Sequence, residues 1–301
     1  MLSILIPIYN FDCRQLVSDL RQQCLAEKIA FEIICFDDGS KHYFKDLNQS
    51  FSQLDGISYR ELPRNLGRAK IRNELAKAAQ YTYLLFLDCD SKVVSETYIK
   101  HYLAHLQPTT LLYGGRTYAQ KPPLNNQLSL HYFFGLHREK ISYEERKTKP
   151  YHSFMTNNFL IPKAVFFTIR FEEKIADYGH EDTLFGMALE QRGIPIIHLD
   201  NPLEHLGLET TATFLKKQRT AIKNLYTLHQ ENRIIATKLL QTFVNLKKYR
   251  TNQLVLFTLN KLQPIIWQQL HKRRPNLFFL DLFKLHYLLQ IDTYGIDDIP
   301  S

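Results

Sequence analysis

Apolar positions in the first half of the chain fall in short runs separated by amphipathic stretches. Ser3 to Tyr9 is a β-rich run that ends at Asn10. Leu16, Val17, Leu20 and Cys24 then recur at helical spacing. Phe31 to Phe36 predicts a second strand, Tyr43 to Leu54 a helix, and Ile57 to Leu62 a third strand. Leu66 to Ala79 is rich in Ala, Lys and Arg and predicts a helix. Tyr83 to Leu87 is apolar throughout, which requires cover on both faces of the sheet it joins. A helix around Glu96 to Leu106 and a strand at Leu111 to Tyr113 continue the alternation. Strand–helix alternation of this kind predicts an α/β fold with a mainly parallel sheet flanked by helices.

The pattern loosens from Arg116 to Tyr151, a polar and aromatic stretch that reads either as a mobile loop or as partly helical cover. Regular signals return at Asn158 to Phe167, at a helix from Asp182 to Arg192 and at a strand from Pro195 to Leu199. Beyond Glu209 the chain reads as several helices, and Pro264 and Pro275 exclude one long helix. The expected organisation is one domain over residues 1–208 and a basic helical C-terminal region over 209–301.

Charge sharpens that division. The chain holds 38 Lys and Arg against 30 Asp and Glu, a net charge of +8. From Glu209 onward there are 14 basic and 6 acidic residues, so the whole excess sits in the last third. The neutral remainder argues against a uniformly basic nucleic-acid coat. The four cysteines show no C-x-x-C and no zinc-ligand spacing, so free thiols in a reducing compartment are expected. The first ten residues lack the basic start and cleavage site of a signal peptide, and no apolar run of about 18 residues occurs. The expectation is a cytoplasmic protein.

Chemistry gathers at the strand ends, where ligands of open α/β sheets bind. Tyr9-Asn10 follows the first strand, Asp37-Asp38-Gly39-Ser40 the second, and Asp88-Cys89-Asp90 the fourth. Any one of these alone reads as a turn. Two carboxylates two residues apart, after a buried strand, suit a hard divalent cation bridging to substrate phosphates.

In that setting the sequence resembles a family 2 glycosyltransferase with the GT-A (nucleotide-diphospho-sugar transferase) fold. The matching segments are ILIPIYN (4–10), CFDDGS (35–40), NLGRAKIRN (65–73), LLFLDCD (84–90), GHEDTLFGMALEQRG (179–193) and PIIHLDNPLEHLG (195–207). They occur in family order over about the first 207 residues. The resemblance implies that Asp38 contacts the uracil edge, with Asp37, Pro7 and Tyr9 beside it. It brings Arg68 and Arg72 toward the nucleotide, although Arg72 also reads as a solvated helix charge. Asp88 and Asp90 match the metal motif, with Asp90 the direct ligand, and His205 completes the set; His198 is a weaker candidate, and His180 shapes its turn. Asp182 is implied as catalytic base and Glu181 as an acceptor contact, against a bland reading as first-turn helix carboxylates. Asn157 and Asn158 are candidates for sugar or acceptor contacts, or turn caps.

The implied activity is metal-dependent hexosyl or hexosaminyl transfer from a nucleotide-sugar, UDP-linked, to an acceptor hydroxyl with inversion. The cofactor is Mn²⁺ or Mg²⁺. The setting is surface polysaccharide or glycolipid assembly, with a saccharide or lipid-linked saccharide as acceptor. A sugar-phosphate nucleotidyltransferase and a non-catalytic nucleotide- or nucleic-acid-binding protein are the alternatives. A Gly-rich phosphate loop, absent near Met1 to Asp12, speaks against the first, and the motifs in the neutral part against the second. No nucleic acid partner is expected. For the tail two readings stand: peripheral docking on an anionic membrane through Phe278, Phe279, Leu280, Leu282 and Phe283, or helical packing with a solvated basic face.

Overall fold

The computed structural model describes residues 1–173, 179–231, 233 and 237–296. The chain forms two compact units: one from Met1–Ala119, Arg138–Ala176 and Glu181–Gly207, the other from Gln120–His137, Asp177–His180 and Leu208–Ser301.

The first unit is built on strands β1 (Leu2–Ile8), β2 (Phe31–Asp37), β3 (Ile57–Glu61), β4 (Tyr83–Leu87), β5 (Ser91–Val93), β6 (Leu111–Tyr113), β7 (Arg116–Thr117), β8 (Asn158–Pro162), β9 (Ile196–His198) and β10 (Leu203–His205). Seven of them form one sheet in the order β3-β2-β1-β4-β8-β6-β9. Its ladders are parallel except where β8 meets β4 and β6. The alternation read from the sequence is therefore an α/β fold with a mainly parallel sheet. Helices at Arg14–Ala26 and Arg68–Ala78 supply buried faces, and β4 is buried along its last four residues, as its unbroken apolar run requires.

Strand β8 runs against β4 with Leu87 opposite Asn158. That register carries Asn157 to the end of β4, where its carbonyl accepts from Asp88 N at 3.1 Å. A second, three-stranded sheet, β5-β10-β7, pairs His205 with Ser91 and so sets the late histidine beside the D-x-D turn. The hydrophobic patterns missed β5, β7 and β10 because runs of two or three residues show no period.

Phenylalanines fix the helix Glu181–Gln191. Phe185 stacks on Phe171 at 4.4 Å between centroids and lies 5.8 Å from Phe159 of β8. These rings secure the third residue after Asp182, hence the first turn of the helix.

The segment 116–151 is ordered by short helices at Ser129–Phe134 and Tyr143–Thr148 with a π-turn at Gly135–Glu139 between them. Helical cover, not a bare loop, is the outcome there. The second unit takes Ser129–Phe134 and adds helices Thr211–Gln230, Lys238–Lys248, Asn252–Leu270 and Leu277–Tyr294. Side-chain caps at Thr210, Thr237 and Asn276 start three of them.

Two expectations for the tail need correction. Pro264 does not interrupt a helix; it lies inside Asn252–Leu270. Both Pro264 and Asn260, whose carbonyl loses its partner, are exposed, so water can take the freed acceptor. The single-helix reading fails instead at Tyr249–Thr251 and His271–Asn276. Of the residues expected to meet a membrane, Leu280 and Phe283 are buried in the unit, and Phe278 is exposed.

Candidate active site

The ends of β1 and β2 are stitched together before any ligand is considered. Asn10, in the left-handed region at φ 51, donates its N–H to Ser40 Oγ at 2.8 Å and accepts from Lys41 N at 2.8 Å. Asp37 Oδ1 accepts from Ser40 N at 2.7 Å, and Tyr59 donates to Oδ2 at 3.3 Å. Asp38 accepts from Leu66 N at 2.6 Å and Gly67 N at 3.2 Å. Burial pushes the Asp38 carboxyl up; those two N–H donors offset part of the rise, and Asp37 adds to it. Both carboxylates are buried. They hold the turns at these strand ends, a structural task the sequence reading did not give them. Tyr9, 54% exposed, is the open group at this end, and Pro7 is half-buried.

A chain of charges joins the other strand ends. Asp88 Oδ1 lies 2.6 Å from Arg72 Nη2, and Oδ2 lies 3.1 Å from Arg116 Nη2. Arg116 continues to Glu139 at 3.0 Å, and Tyr118 also donates to Glu139. Arg72 is buried, so its reading as a solvated helix charge is wrong: it packs 5.6 Å over the Phe171 ring. Burial works against the Arg116 charge, but Glu139, Tyr118, Asp88 and Asp90 keep it firmly cationic. Both Asp88 oxygens are thus already ion-paired with arginines.

Asp90 stands differently. Its Oδ1 is 3.5 Å from His205 Nδ1. That oxygen is buried and completes no hydrogen bond among the described residues. Burial opposes its ionisation, yet His205, then Arg116 and Arg68, hold the carboxyl well below the usual range. A Cβ at Gly207 would overlap Asp90 Oδ2, so any larger residue there would displace the carboxylate. The His205 and Tyr118 rings meet edge to face, with centroids 5.5 Å apart.

Glu181 and Asp182 open their helix with opposite electrostatics. Burial opposes the Glu181 charge, but Arg68, 3.3 Å away, and Arg72 hold its pKa below the ordinary value. Asp182 is pushed up to about 6, first by burial and then by Glu181 and Asp88; Thr156 and Arg72 pull the other way. Thr156 Oγ1 donates to Asp182 Oδ1 at 2.5 Å.

The two asparagines part company. Asn157 is buried with Oδ1 3.4 Å from the Tyr113 hydroxyl. Asn158 is fully enclosed: Tyr98 and Tyr102 donate to its Oδ1 at 2.6 and 2.7 Å, and its Nδ2 donates to Gly115 and Asn201 carbonyls at 2.9 and 3.0 Å. Its amide is spent on the core, so it has nothing to offer a sugar. His198 is structural as well, between Arg146 Nε at 3.3 Å and the Pro150 carbonyl at 3.0 Å, with burial pushing its pKa down to about 4. His180 accepts this role too, 3.0 Å from the Ala221 carbonyl in the second unit.

Arg116, Glu139, Tyr118 and Thr156 were not singled out from the sequence. The first three lie where periodicity fails, and the only signal for Thr156 was its place beside Asn157. Around Asp88 and its two arginines the structure gathers two helix-opening carboxylates and a carboxylate–imidazole pair. The sequence profile of "Glycosyl transferase family 2" matches residues 3–170.

The chain belongs to glycosyl transferase family 2.

Relatives within reach of this family member by sequence include the chondroitin synthase of Escherichia coli, 34% identical over 93 residues, which are 30% of this chain and 13% of that protein. The chondroitin synthase of Pasteurella multocida is 30% identical over 39% of this chain and 12% of its own length. The family 2 chain thus matches under one-sixth of either relative. Among solved structures, S. aureus TarS 1-349 in complex with UDP-GlcNAc superposes with a TM-score of 0.51 and 17% identity, over 72% of this chain and 64% of that one. The mannosyltransferase PcManGT from Pyrobaculum calidifontis, in complex with GDP-Man and Mn²⁺, gives 0.54 and 11%, over 76% and 64%. These likenesses show that the fold is GT-A.

Proposed function

We propose that this glycosyltransferase moves a hexosyl or hexosaminyl group from a UDP-sugar to an acceptor hydroxyl with inversion, in polysaccharide or glycolipid assembly. The observation that carries this reading is Asp182, a carboxylate raised to about 6 and hydrogen-bonded to Thr156 at the edge of the charge chain. A base near the working pH is the group the reaction needs. The UDP-GlcNAc in TarS and the polymer named in the chondroitin synthases support the donor and the setting.

In this reading Asp182 takes the proton of the acceptor hydroxyl while that oxygen attacks the anomeric carbon. The new glycosidic bond forms as the bond to the nucleoside diphosphate breaks on the opposite face, which inverts the centre. Thr156 holds the carboxylate in place. Glu181, kept anionic by Arg68 and Arg72, accepts from a second acceptor hydroxyl; adjacent helix positions point about 100° apart, so the two acids cannot serve one proton equally. Tyr9 and the turn held by Asp38 border the nucleoside, and Arg68, half-exposed, approaches its phosphates.

Asp90 and His205 fit a divalent cation. The buried Asp90 Oδ1 accepts no hydrogen bond among the described residues, and a hard oxygen beside an imidazole suits Mn²⁺ or Mg²⁺. No group of three or more His, Cys, Asp or Glu converges among the described residues, so phosphate oxygens and water would complete the shell. A bound cation would offset the charge of the departing diphosphate. Asp88 stays behind its two arginines as an anchor for the turn. We also propose residues 1–208 and 209–301 as the two domains along the chain, with Gln120–His137 joining the second.

A nucleotide-sugar hydrolysis screen with and without manganese tests the proposal. UDP-sugar turnover that needs metal and is lost in Asp182→Asn is expected. Turnover of none of the nucleotide-sugars, or retention of the donor's anomeric configuration in the product, overturns it.

A further inference from the structure

The second unit carries an exposed face whose chemistry is independent of the transfer site. In the helix Asn252–Leu270 the buried residues are Leu256, Leu259, Ile266 and Leu270. At 100° per residue these lie on one side of the helix. Leu254, Phe257, Lys261 and Ile265 lie on the other, within roughly 80° of one another. Leu254 is 68% exposed, Phe257 57% and Ile265 48%. Lys261 Nζ sits 4.4 Å over the Phe257 ring, so the cation rests on the apolar stripe. Tyr249, just before the helix, and Trp267, near its last turn and about 120° round from the stripe, are also exposed. Single exposed apolar residues need no explanation, but a helix apolar on two opposite faces does.

Charge names the occupant. From Asn232 to Leu280 there are nine Lys or Arg and no Asp or Glu. Lys272, Arg273 and Arg274 follow the helix directly, line a cavity of about 540 Å³ with Phe133 and Pro122, and form no ion pair among the described residues. A protein partner or a second copy of this chain would have to bring acids to meet these cations, and this stretch offers none to a copy of itself. An anionic lipid surface brings phosphate at the depth of the lysines and acyl chains at the depth of the leucine and phenylalanine. A lysine on an apolar stripe, between clusters of cations, favours that boundary. No helix among the described residues is long and apolar enough to cross a membrane, so attachment would lie in the plane of the surface.

We propose that the helix Asn252–Leu270 docks on anionic phospholipid bilayers, Leu254, Phe257 and Ile265 entering the interface and the basic residues at its two ends meeting phosphates. The test is flotation of the full chain with vesicles of phosphatidylcholine alone and of phosphatidylcholine mixed with phosphatidylglycerol, at low and high salt. Binding to the mixed vesicles only, weakened by salt, is expected. Each cation near such a surface is worth about fivefold in affinity, so Lys272→Gln, Arg273→Gln and Arg274→Gln together should weaken binding roughly a hundredfold. Leu254→Ser, Phe257→Ser and Ile265→Ser together should weaken it at least about tenfold. Those positions are exposed, and unchanged circular dichroism and UDP-sugar turnover would show the variants folded. Equal binding to both vesicles, binding to neither, or an apolar triple variant that floats like the parent overturns the proposal. So does light scattering that finds a dimer in the parent and a monomer in that variant, because the face would then be covered by a second copy.

Discussion

Asp88 Oδ1 and Arg72 Nη2, 2.6 Å apart, tie the end of a buried strand to the middle of a neighbouring helix. Arg72 is 3% exposed there, so the pair is a desolvated one. Such pairs add little over an apolar replacement of both, but loss of one partner leaves a charge without cover. Arg72→Met should lower unfolding free energy by about 2–4 kcal/mol, the lower end applying because Arg116 still holds Asp88. Urea unfolding checks this: the midpoint should fall with the slope unchanged.

Asp182→Asn should reduce kcat about 10²–10⁴-fold and leave UDP affinity nearly intact, since the loss falls on the transition state. In the parent, kcat should climb with pH and level off above about 6, where the carboxyl ionises. The stability effect has the opposite sign. A carboxyl whose pKa rises on folding holds its proton more tightly in the folded state, so stability falls as pH rises from the ordinary carboxylate value to about 6. Asp182→Asn removes that cost. With partial exposure discounting the shift, it should gain on the order of 1–2 kcal/mol at neutral pH. A thermal melt above pH 7 in which the variant is no more stable than the parent would remove burial as the source of the raised pKa. If instead Glu181→Gln is dead while Asp182→Asn turns over normally, the two roles are reversed.

Asp90→Asn should abolish manganese-dependent UDP binding and His205→Ala should weaken it. Calorimetry of UDP with and without manganese reads both. Metal-dependent affinity unchanged in the two variants would show that the ion binds elsewhere.

Asn158→Leu should act through folding. It leaves two tyrosine hydroxyls and two backbone carbonyls without their amide partner in a buried place. An unsatisfied buried group costs about 1–3 kcal/mol, so a loss of several kcal/mol is expected. The soluble fraction should then keep its acceptor KM; a selective rise in KM without loss of stability would return Asn158 to the sugar site.

Sequence patterns carried the parallel half of the sheet because Leu2 to Ile6, Ile33 to Phe36 and Leu84 to Leu87 are buried on both faces and long enough to read. They carried the acid pairs because turns at strand ends collect polar residues whatever their use. They missed the second sheet, whose three-residue strands have no period, and with it the reason His205 sits beside Asp90. They also misread Asn158, since an amide satisfied by residues 43 to 60 positions away has no local signature. The arginine pairing of Asp88 was hidden for the same cause: Arg116 comes from a two-residue strand.

The Gln120–His137 insertion has a consequence for synthesis. Gln127 O receives its bond from Thr211, 84 residues later, and His131 from Glu209, 78 residues later. His131 also stacks on Phe214 at 4.8 Å, and Leu130 is fully buried. At about 5–20 residues per second, this segment leaves the ribosome roughly 4–16 s before the helix it packs on. For that interval its apolar side chains have no native cover. A nascent chain stalled or cut after Gly207 would hold them exposed for good, a handle for chaperones and proteases that the finished protein withdraws.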